Sequence, residues 1–290
     1  MSKSSDELLA RSTFPPSGSI VHCAFSGGAD STALIWLARA AGCTPIAHHV
    51  DHGLRSDSAA DARRARTIAD RLQIEFVLHT VDVTPGPNLE ARARHARFAA
   101  LPSGVATGHT ADDQAETVLL RLLRGAGTTG LAAMTPGPTH PILGLRRRET
   151  TALCDELGIA PVLDPTNLAP DPWRNRVRHE LLPLAADITR RDVVPILART
   201  AELLRDDDEF LDGLAAGIDP TDARAVAAAP PVLARRALRR WLAESGYPPD
   251  RASIDRVLAV ARGDAVACEL TGGRRVERSN QHFRIVAPEG

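Results

Sequence analysis

The residues of this chain that could do chemistry begin at Ser26-Gly27-Gly28-Ala29-Asp30-Ser31, which follows a short apolar run and opens an apolar helix (Ala33 to Ala41). A strand that turns through glycines into a helix N-terminus gathers free backbone N–H groups and the positive end of the helix dipole, so it attracts anions. Two consecutive glycines let the backbone close around a phosphate where a Cβ would clash. The Walker loop needs a lysine that this stretch lacks. Asp30 instead offers a carboxylate through which a divalent cation can bridge to phosphate oxygens. In an ordinary strand-turn-helix the same Asp30 or Ser31 would be a plain N-cap.

A second group is Gly108-His109-Thr110-Ala111-Asp112-Asp113-Gln114-Ala115-Glu116-Thr117. Spacings of three and four put His109, Asp112, Asp113 and Glu116 around the first turn and a half of one helix. Acids there favour the dipole; they could also hold magnesium or attract a cationic amine. A third, His48-His49-Val50-Asp51-His52-Gly53-Leu54-Arg55, is rich in metal-ligand types. Side chains alternate along a strand, which argues against one metal cluster and for a strand end that packs a ligand. Arg94 and Arg97 lie one helical turn apart and can reach one phosphate. Finally, Asp164-Pro165-Thr166-Asn167 and the arginines of Arg174-Asn175-Arg176-Val177-Arg178, beside Trp173, would suit an RNA backbone and a stacked base.

The elements that must position these groups alternate. Strands are expected at Val21–Ala24, Thr44–Asp51, Glu75–Val81 and Gly104–Gly108, with helices at about 56–72, 89–101 and 112–123. That alternation implies a doubly wound, mostly parallel α/β sheet with helices on both faces. Ligands then sit beyond the carboxyl ends of the strands, where Ser26, Asp51 and His109 collect. Residues 124–144 are rich in glycine and proline and read equally as a lid or a linker. Helix resumes at 145–157 and 173–186. Beyond 187 the pattern is mainly helical, with short strands closing the chain. The expected domains are 1–186 and 187–290.

Composition narrows the class. The chain has 290 residues, a net charge of −1, and Lys3 as its one lysine, so its positive charge is nearly all arginine. Any basic surface must be local; Arg235, Arg236, Arg239 and Arg240 form a candidate stripe for a nucleic-acid backbone. Cys23, Cys43, Cys154 and Cys268 include no C-x-x-C pair, which disfavours a zinc or iron–sulfur site. No apolar run reaches membrane-spanning length and no signal-peptide pattern opens the chain, so a cytoplasmic protein without a membrane partner is expected.

The Ser-Gly-Gly-x-Asp-Ser stretch resembles the PP-loop of the ATP pyrophosphatases, which cleave ATP between the α- and β-phosphates. With Val50-Asp51-His52-Gly53-Leu54-Arg55, Asn88-Leu89-Glu90, Gly108-His109-x-x-Asp112-Asp113-x-x-Glu116-Thr117, and Asp164-x-Thr166-Asn167 leading to Arg174-Asn175-x-x-Arg178, it resembles the tRNA(Ile)-lysidine synthetase family. Phe98 stands where that pattern commonly has tyrosine, and His140 where it has arginine before Pro141. The resemblance implies ATP and Mg2+, free L-lysine, an isoleucine tRNA with a CAU anticodon, and is compatible with a homodimer. It implies ATP at Ser26, Gly27, Gly28, Ala29, Asp30, Ser31, His49, Asp51 and Gly108, and metal at Asp30 and Asp113. Asp30, Arg94, Arg97, His109, Asp112 and Asp113 are the catalytic candidates it implies. A base-thiolating relative would more commonly carry paired cysteines, and a non-catalytic ATP-binding module would leave the acidic and arginine groups without a use.

Overall fold

The computed structural model describes residues 3–51, 58–81, 92, 95–96, 99–162, 172–244, 249–270 and 273–286. The chain divides into two compact units, Met1–Glu202 and Leu203–Gly290. Together they form a doubly wound, mostly parallel α/β fold followed by a smaller, mainly helical part. Among the described residues, no helix is long and apolar enough to cross a membrane.

In the first unit, α1 (Lys3–Leu9) precedes β1 (Ile20–Ala24), α2 (Ala29–Ala40), β2 (Thr44–Asp51), α3 (Ser58–Arg71) and β3 (Glu75–Thr80). The three strands run parallel in the order β1-β2-β3. In register, Cys23 pairs with Ala47 and His48 with Val77. The expected strand at 104–108 is reduced to one parallel bridge on the outer side of β1. Ala24 N–H donates to Ala106 O and Ala106 N–H to His22 O, each at 2.8 Å. That bridge is enough to bring Gly108 and His109 to the edge where β1 ends.

Alternation explains the core. Val21, Cys23, Phe25 and Ala47 are buried with Leu34, Ile35 and Leu37 of α2. Ala65 and Ala69 of α3 are buried in the same cluster, small enough to let that helix lie close to the sheet. Burying each large aliphatic side chain contributes about 1.5–3 kcal/mol. His22, His48 and His79 sit on three adjacent strands and form a ladder. His22 Nδ1 is 2.9 Å from His48 Nε2, and His48 Nδ1 is 2.9 Å from His79 Nε2. His48 is buried and His22 exposed. Burial first, and then the neighbouring His22 and His79, lower the His48 imidazole to about 4.

The unit continues through α4 (Ala111–Leu123), α5 (Thr128–Leu131), α6 (Arg147–Glu156) and α7 (Pro172–Arg176). A π-helical turn, Val177–Leu181, then leads into α8 (Leu182–Thr189) and α9 (Val193–Ala216), within which the first unit ends at Glu202 and the second begins. The helix expected over 89–101 lies mostly outside the described residues. The glycine-rich stretch 124–144 is tied down at several points. Arg121 Nη1 donates to Gly130 O (2.8 Å), and the buried Gln114 amide pairs with both the N–H (3.0 Å) and the carbonyl (2.8 Å) of Met134.

In the second unit, α10 (Ala223–Ala228), α11 (Pro231–Glu244) and α12 (Arg251–Arg262) surround a core that includes Leu238, Leu242, Ile254 and Val257. β4 (Ala267–Glu269), β5 (Arg275–Ser279) and β6 (His282–Val286) form an antiparallel sheet. Asp222 and Asp250 cap α10 and α12, accepting from Arg224 N–H (2.8 Å) and Ser253 N–H (2.7 Å). Of the expected arginine stripe, Arg235 pairs with Asp255 (2.7 Å) and Arg236 with Asp208 and Asp212 (both 2.6 Å). Arg239 and Arg240 are exposed.

Candidate active site

The glycine loop is built as an open helix start. Gly27 has φ +83°, and a Cβ there would fall 2.8 Å from Val162 Cγ2, so glycine is required by both backbone and space. Val162 N–H donates to Gly27 O at 2.9 Å and holds the loop from below. Gly28 occupies the N-cap of α2 without a side chain to accept from the first turn. The N–H groups of Ala29, Asp30 and Ser31 therefore have no acceptor within the helix. The Ser26 and Ser31 hydroxyls stand 3.2 Å apart, and Ser31 Oγ donates to Gly28 O (3.0 Å). Backbone donors, two hydroxyls and a helix dipole converge as a phosphate cradle requires.

Gly108 backs this cradle directly. A Cβ on it would lie 2.9 Å from the Asp30 carbonyl carbon and 3.0 Å from Ser31 N, so only glycine allows the 106–109 segment so close. His109 follows. The Thr107 hydroxyl donates to Thr139 O (3.0 Å) and so must accept from His109 Nδ1 (2.7 Å). That fixes the proton of neutral His109 on Nδ1 and leaves Nε2 a lone pair. On β2, His49 Nδ1 donates to Phe25 O (2.8 Å) and its ring stacks on Phe76. Burial lowers His49 below the ordinary histidine value, with the Phe25 carbonyl and Asp51 acting against it, so the ring is neutral near pH 7. Asp51 ends β2 at the same edge.

Asp30 lies within the first turn of α2, half-buried. Its Oδ1 accepts a short hydrogen bond from Thr150 of α6, and its Oδ2 lies 3.5 Å from Arg147 Nε. Burial raises its carboxyl to about 6; the Thr150 hydroxyl opposes this, Asp113 adds to it, and Arg147 opposes it.

The acids of α4 have a different setting. Asp113 Oδ2 accepts from the N–H and the hydroxyl of Thr110 (both 2.9 Å), while Oδ1 accepts from Arg147 (2.9 Å) and Arg174 (3.3 Å). Burial alone would raise the Asp113 carboxyl, but Arg147, the Thr110 N–H, Arg174 and His109 outweigh it and hold it low. Asp112 caps α6, with Oδ2 accepting from the Arg147 N–H (2.8 Å) and Arg146 Nε (3.0 Å). Glu116 is fully buried beneath three guanidinia: Arg147 at 3.2 Å, Arg174 at 2.8 Å and Arg178 at 2.7 Å. The wider π-helical turn at Val177–Leu181 carries Arg178 there.

Arg174 and Arg178, read in the sequence as candidate RNA contacts, thus serve as counter-ions to α4. Arg176 is exposed and pairs with Glu180 (2.9 Å). Arg94, Arg97, His52–Arg55 and Asp164–Asn167 lie outside the described residues. Sequence reasoning missed Arg146, Arg147 and Thr150. A run of three arginines, Arg146-Arg147-Arg148, at a helix start opposes the dipole and so signals acidic partners elsewhere in the fold. Cys23, Cys43 and Cys154 are buried, and burial pushes the Cys23 thiol up to about 12 and Cys154 up to about 11. Neither is a ready nucleophile.

Known proteins resemble this chain over most of its length. Residues 2–185 match the PP-loop domain family, and residues 222–283 match the TilS substrate binding domain. The tRNA(Ile)-lysidine synthase of Nocardia farcinica is 42% identical over 292 residues, spanning 94% of this chain and 90% of the relative. That of Mycobacterium leprae is 44% identical over 279 residues, spanning 87% and 86%. Among solved structures, the U34-tRNA thiolase NcsA from Methanococcus maripaludis superposes with a TM-score of 0.54 at 17% identity, covering 70% of this chain and 78% of that one, which is a likeness of fold. On the match of its PP-loop domain, its substrate-binding domain and its near full-length relatives, the chain belongs to the tRNA(Ile)-lysidine synthase family.

Proposed function

We propose that this chain joins free lysine to C2 of the wobble cytidine in an isoleucine tRNA with a CAU anticodon, consuming ATP through an adenylated base. The observation that carries this reading is the contact of the open α2 N-terminus with Gly108, which sets a phosphate cradle and the His109 imidazole in one corner. In the first step the cytosine O2 attacks the α-phosphate and pyrophosphate leaves. Ser26, Gly27, Gly28, Ala29 and Ser31 would take the charge that builds on the departing oxygens. Arg94 and Arg97 are our candidates for the α-phosphate.

Magnesium fits at Asp30 better than at Asp113. Asp30 keeps a partly exposed carboxylate beside the cradle, held by one hydroxyl and by a guanidinium no nearer than 3.5 Å, where one protein ligand plus nucleotide phosphates is an ordinary magnesium set. Both oxygens of Asp113 already accept from Thr110 and from guanidinia. When bound with the nucleotide, magnesium supplies positive charge to the pyrophosphate oxygens.

In the second step the lysine ε-amine attacks C2, the bond to AMP breaks, and the amine proton needs an acceptor. His109 Nε2 has the tautomer for it. Asp112 and Asp113 would orient the lysine only by sharing it with the arginines they already bind. We assign 1–186 to adenylation and 187–290 to tRNA binding, with Arg239 and Arg240 as exposed contacts. We place the reaction in the cytoplasm, where tRNA, ATP and free lysine meet.

The test supplies α-labelled ATP, magnesium, lysine and transcripts of isoleucine tRNA (CAU) and methionine tRNA. Labelled AMP together with a lysine-sized mass gain on the isoleucine transcript alone is expected. AMP without that gain would transfer the chain to another modification, and no AMP from folded protein would remove the enzyme reading.

A further inference from the structure

Beside His109 the first unit contains a cavity of about 580 Å³, whose lining includes Val105, His109, Arg121, Met134, His140 and Arg174. The size is that of a small-molecule site. Among the described residues its lining contains no carboxylate. The neighbouring acids of α4, Asp113 and Glu116, are bonded to guanidinia instead. A cationic amine gains nothing from such walls. A neutral planar ring with a phosphate attached fits them better: Leu101, Val105 and Met134 offer an apolar floor, and Arg121, which donates to the Gly130 carbonyl, offers positive charge.

His140 gives the cavity a sense of donor and acceptor. Its Nδ1 lies 3.2 Å from Thr135 O, an atom that can only accept, so Nδ1 carries the proton. Burial lowers its imidazole below the ordinary histidine value, with the Thr135 carbonyl opposing, so the ring is neutral at pH 7. Nε2 is then an acceptor. The segment bearing it is fixed by the Gln114–Met134 pair, by Arg121 to Gly130 O, and by Thr107 to Thr139 O. Cytosine and uracil differ at this point of contact: cytosine presents an amino donor at C4, uracil a carbonyl acceptor.

We propose that this cavity seats the target cytosine of the RNA and that His140 Nε2 reads its 4-amino group, making His140 a specificity-determining residue. The inference rests on the reaction proposed above. It also separates the two substrates: the base enters on the His140 side, and the lysine amine approaches C2 from outside this cavity.

The experiment compares isoleucine transcripts carrying cytosine or pyrimidin-2-one at the wobble position. Both keep the O2 nucleophile, and only cytosine has the amine. Pyrophosphate release gives kcat/KM for each. The wild-type protein should prefer cytosine, and His140→Phe, which keeps a ring but no acceptor, should narrow that preference on the order of tenfold. His140→Gln, whose amide oxygen can accept, should keep much of it. An unchanged cytosine preference in folded His140→Phe overturns the role of His140. Absence of pyrophosphate from wild-type protein with either transcript overturns the underlying reaction instead.

Discussion

The α2 and α4 N-termini lie at the same edge of the parallel sheet, and they are finished in opposite ways. The first turn of α2 follows Gly28 and has no side-chain cap. The first turn of α4 is closed by Thr110 and Asp113, and Asp113 is further bonded to Arg147 and Arg174. The two helix dipoles are alike; what differs is which acceptors the protein itself supplies. An incoming anion finds donors at α2, whereas α4 has its negative charge built in and neutralised. Two sequence motifs rich in acids and hydroxyls after a strand thus do different work. One is a receptor. The other is a rigid wall.

The largest effect should come from breaking that wall. Glu116→Ala strands three guanidinia beside a buried gap, and a loss of about 3–5 kcal/mol is expected. A urea melt with a midpoint near wild type would contradict the buried-counter-ion account. Next, Gly27→Ala attacks the receptor: positive φ costs about 1–2 kcal/mol, and the new Cβ meets Val162. Calorimetry should find ATP binding weakened, and Gly28→Ala, whose Cβ would come no nearer than 3.4 Å to Ser26 Oγ, should be milder. Equal losses from the two would undo the distinction between them. Smaller still, Thr110→Val should cost about 1 kcal/mol by loosening the α4 start. It should shift the thermal midpoint while sparing ATP affinity.

Two pH effects sharpen the contrast further. Burial holds the folded Asp30 carboxyl at about 6, above its ordinary value of 3.8 in the unfolded chain. This group therefore adds stability as pH falls from 6 towards 3.8, while any cation it binds is lost over the same approach. Magnesium-dependent ATP binding should weaken below about pH 6, and Asp30→Asn should flatten that dependence. His48 behaves in the opposite sense. Its folded value is near 4 against 6.5 when unfolded, so its contribution is full above 6.5 and fades as pH falls towards 4. His48→Gln should reduce that acid sensitivity in denaturant titrations.

Much of the first unit was legible because strand and helix periods are local properties. The loop at Ser26–Ser31, β2, β3 and the helix after His109 stand where the pattern puts them. The strand at 104–108 shrank to a bridge because its remaining backbone groups bond in turns, such as Thr107 N–H to Thr139 O. The partners of Asp112, Asp113 and Glu116 were not legible, since Arg146, Arg147, Arg174 and Arg178 come from distant helices and only packing brings them together. The same holds for 124–144. Its composition suggests a mobile loop, yet Gln114, a residue of the acidic motif with no evident chemistry, holds its middle.

The histidine ladder links the tautomers of three strands. Neutral His48 has one N–H and one lone pair, so it must donate to one neighbour and accept from the other. Its tautomer then dictates those of His22 and His79, and reversing one ring reverses all three. Any mixed assignment would set two N–H groups, or two lone pairs, face to face. The sheet therefore carries a hydrogen-bond polarity of its own, shared from β1 to β3, that its three rings can change only together.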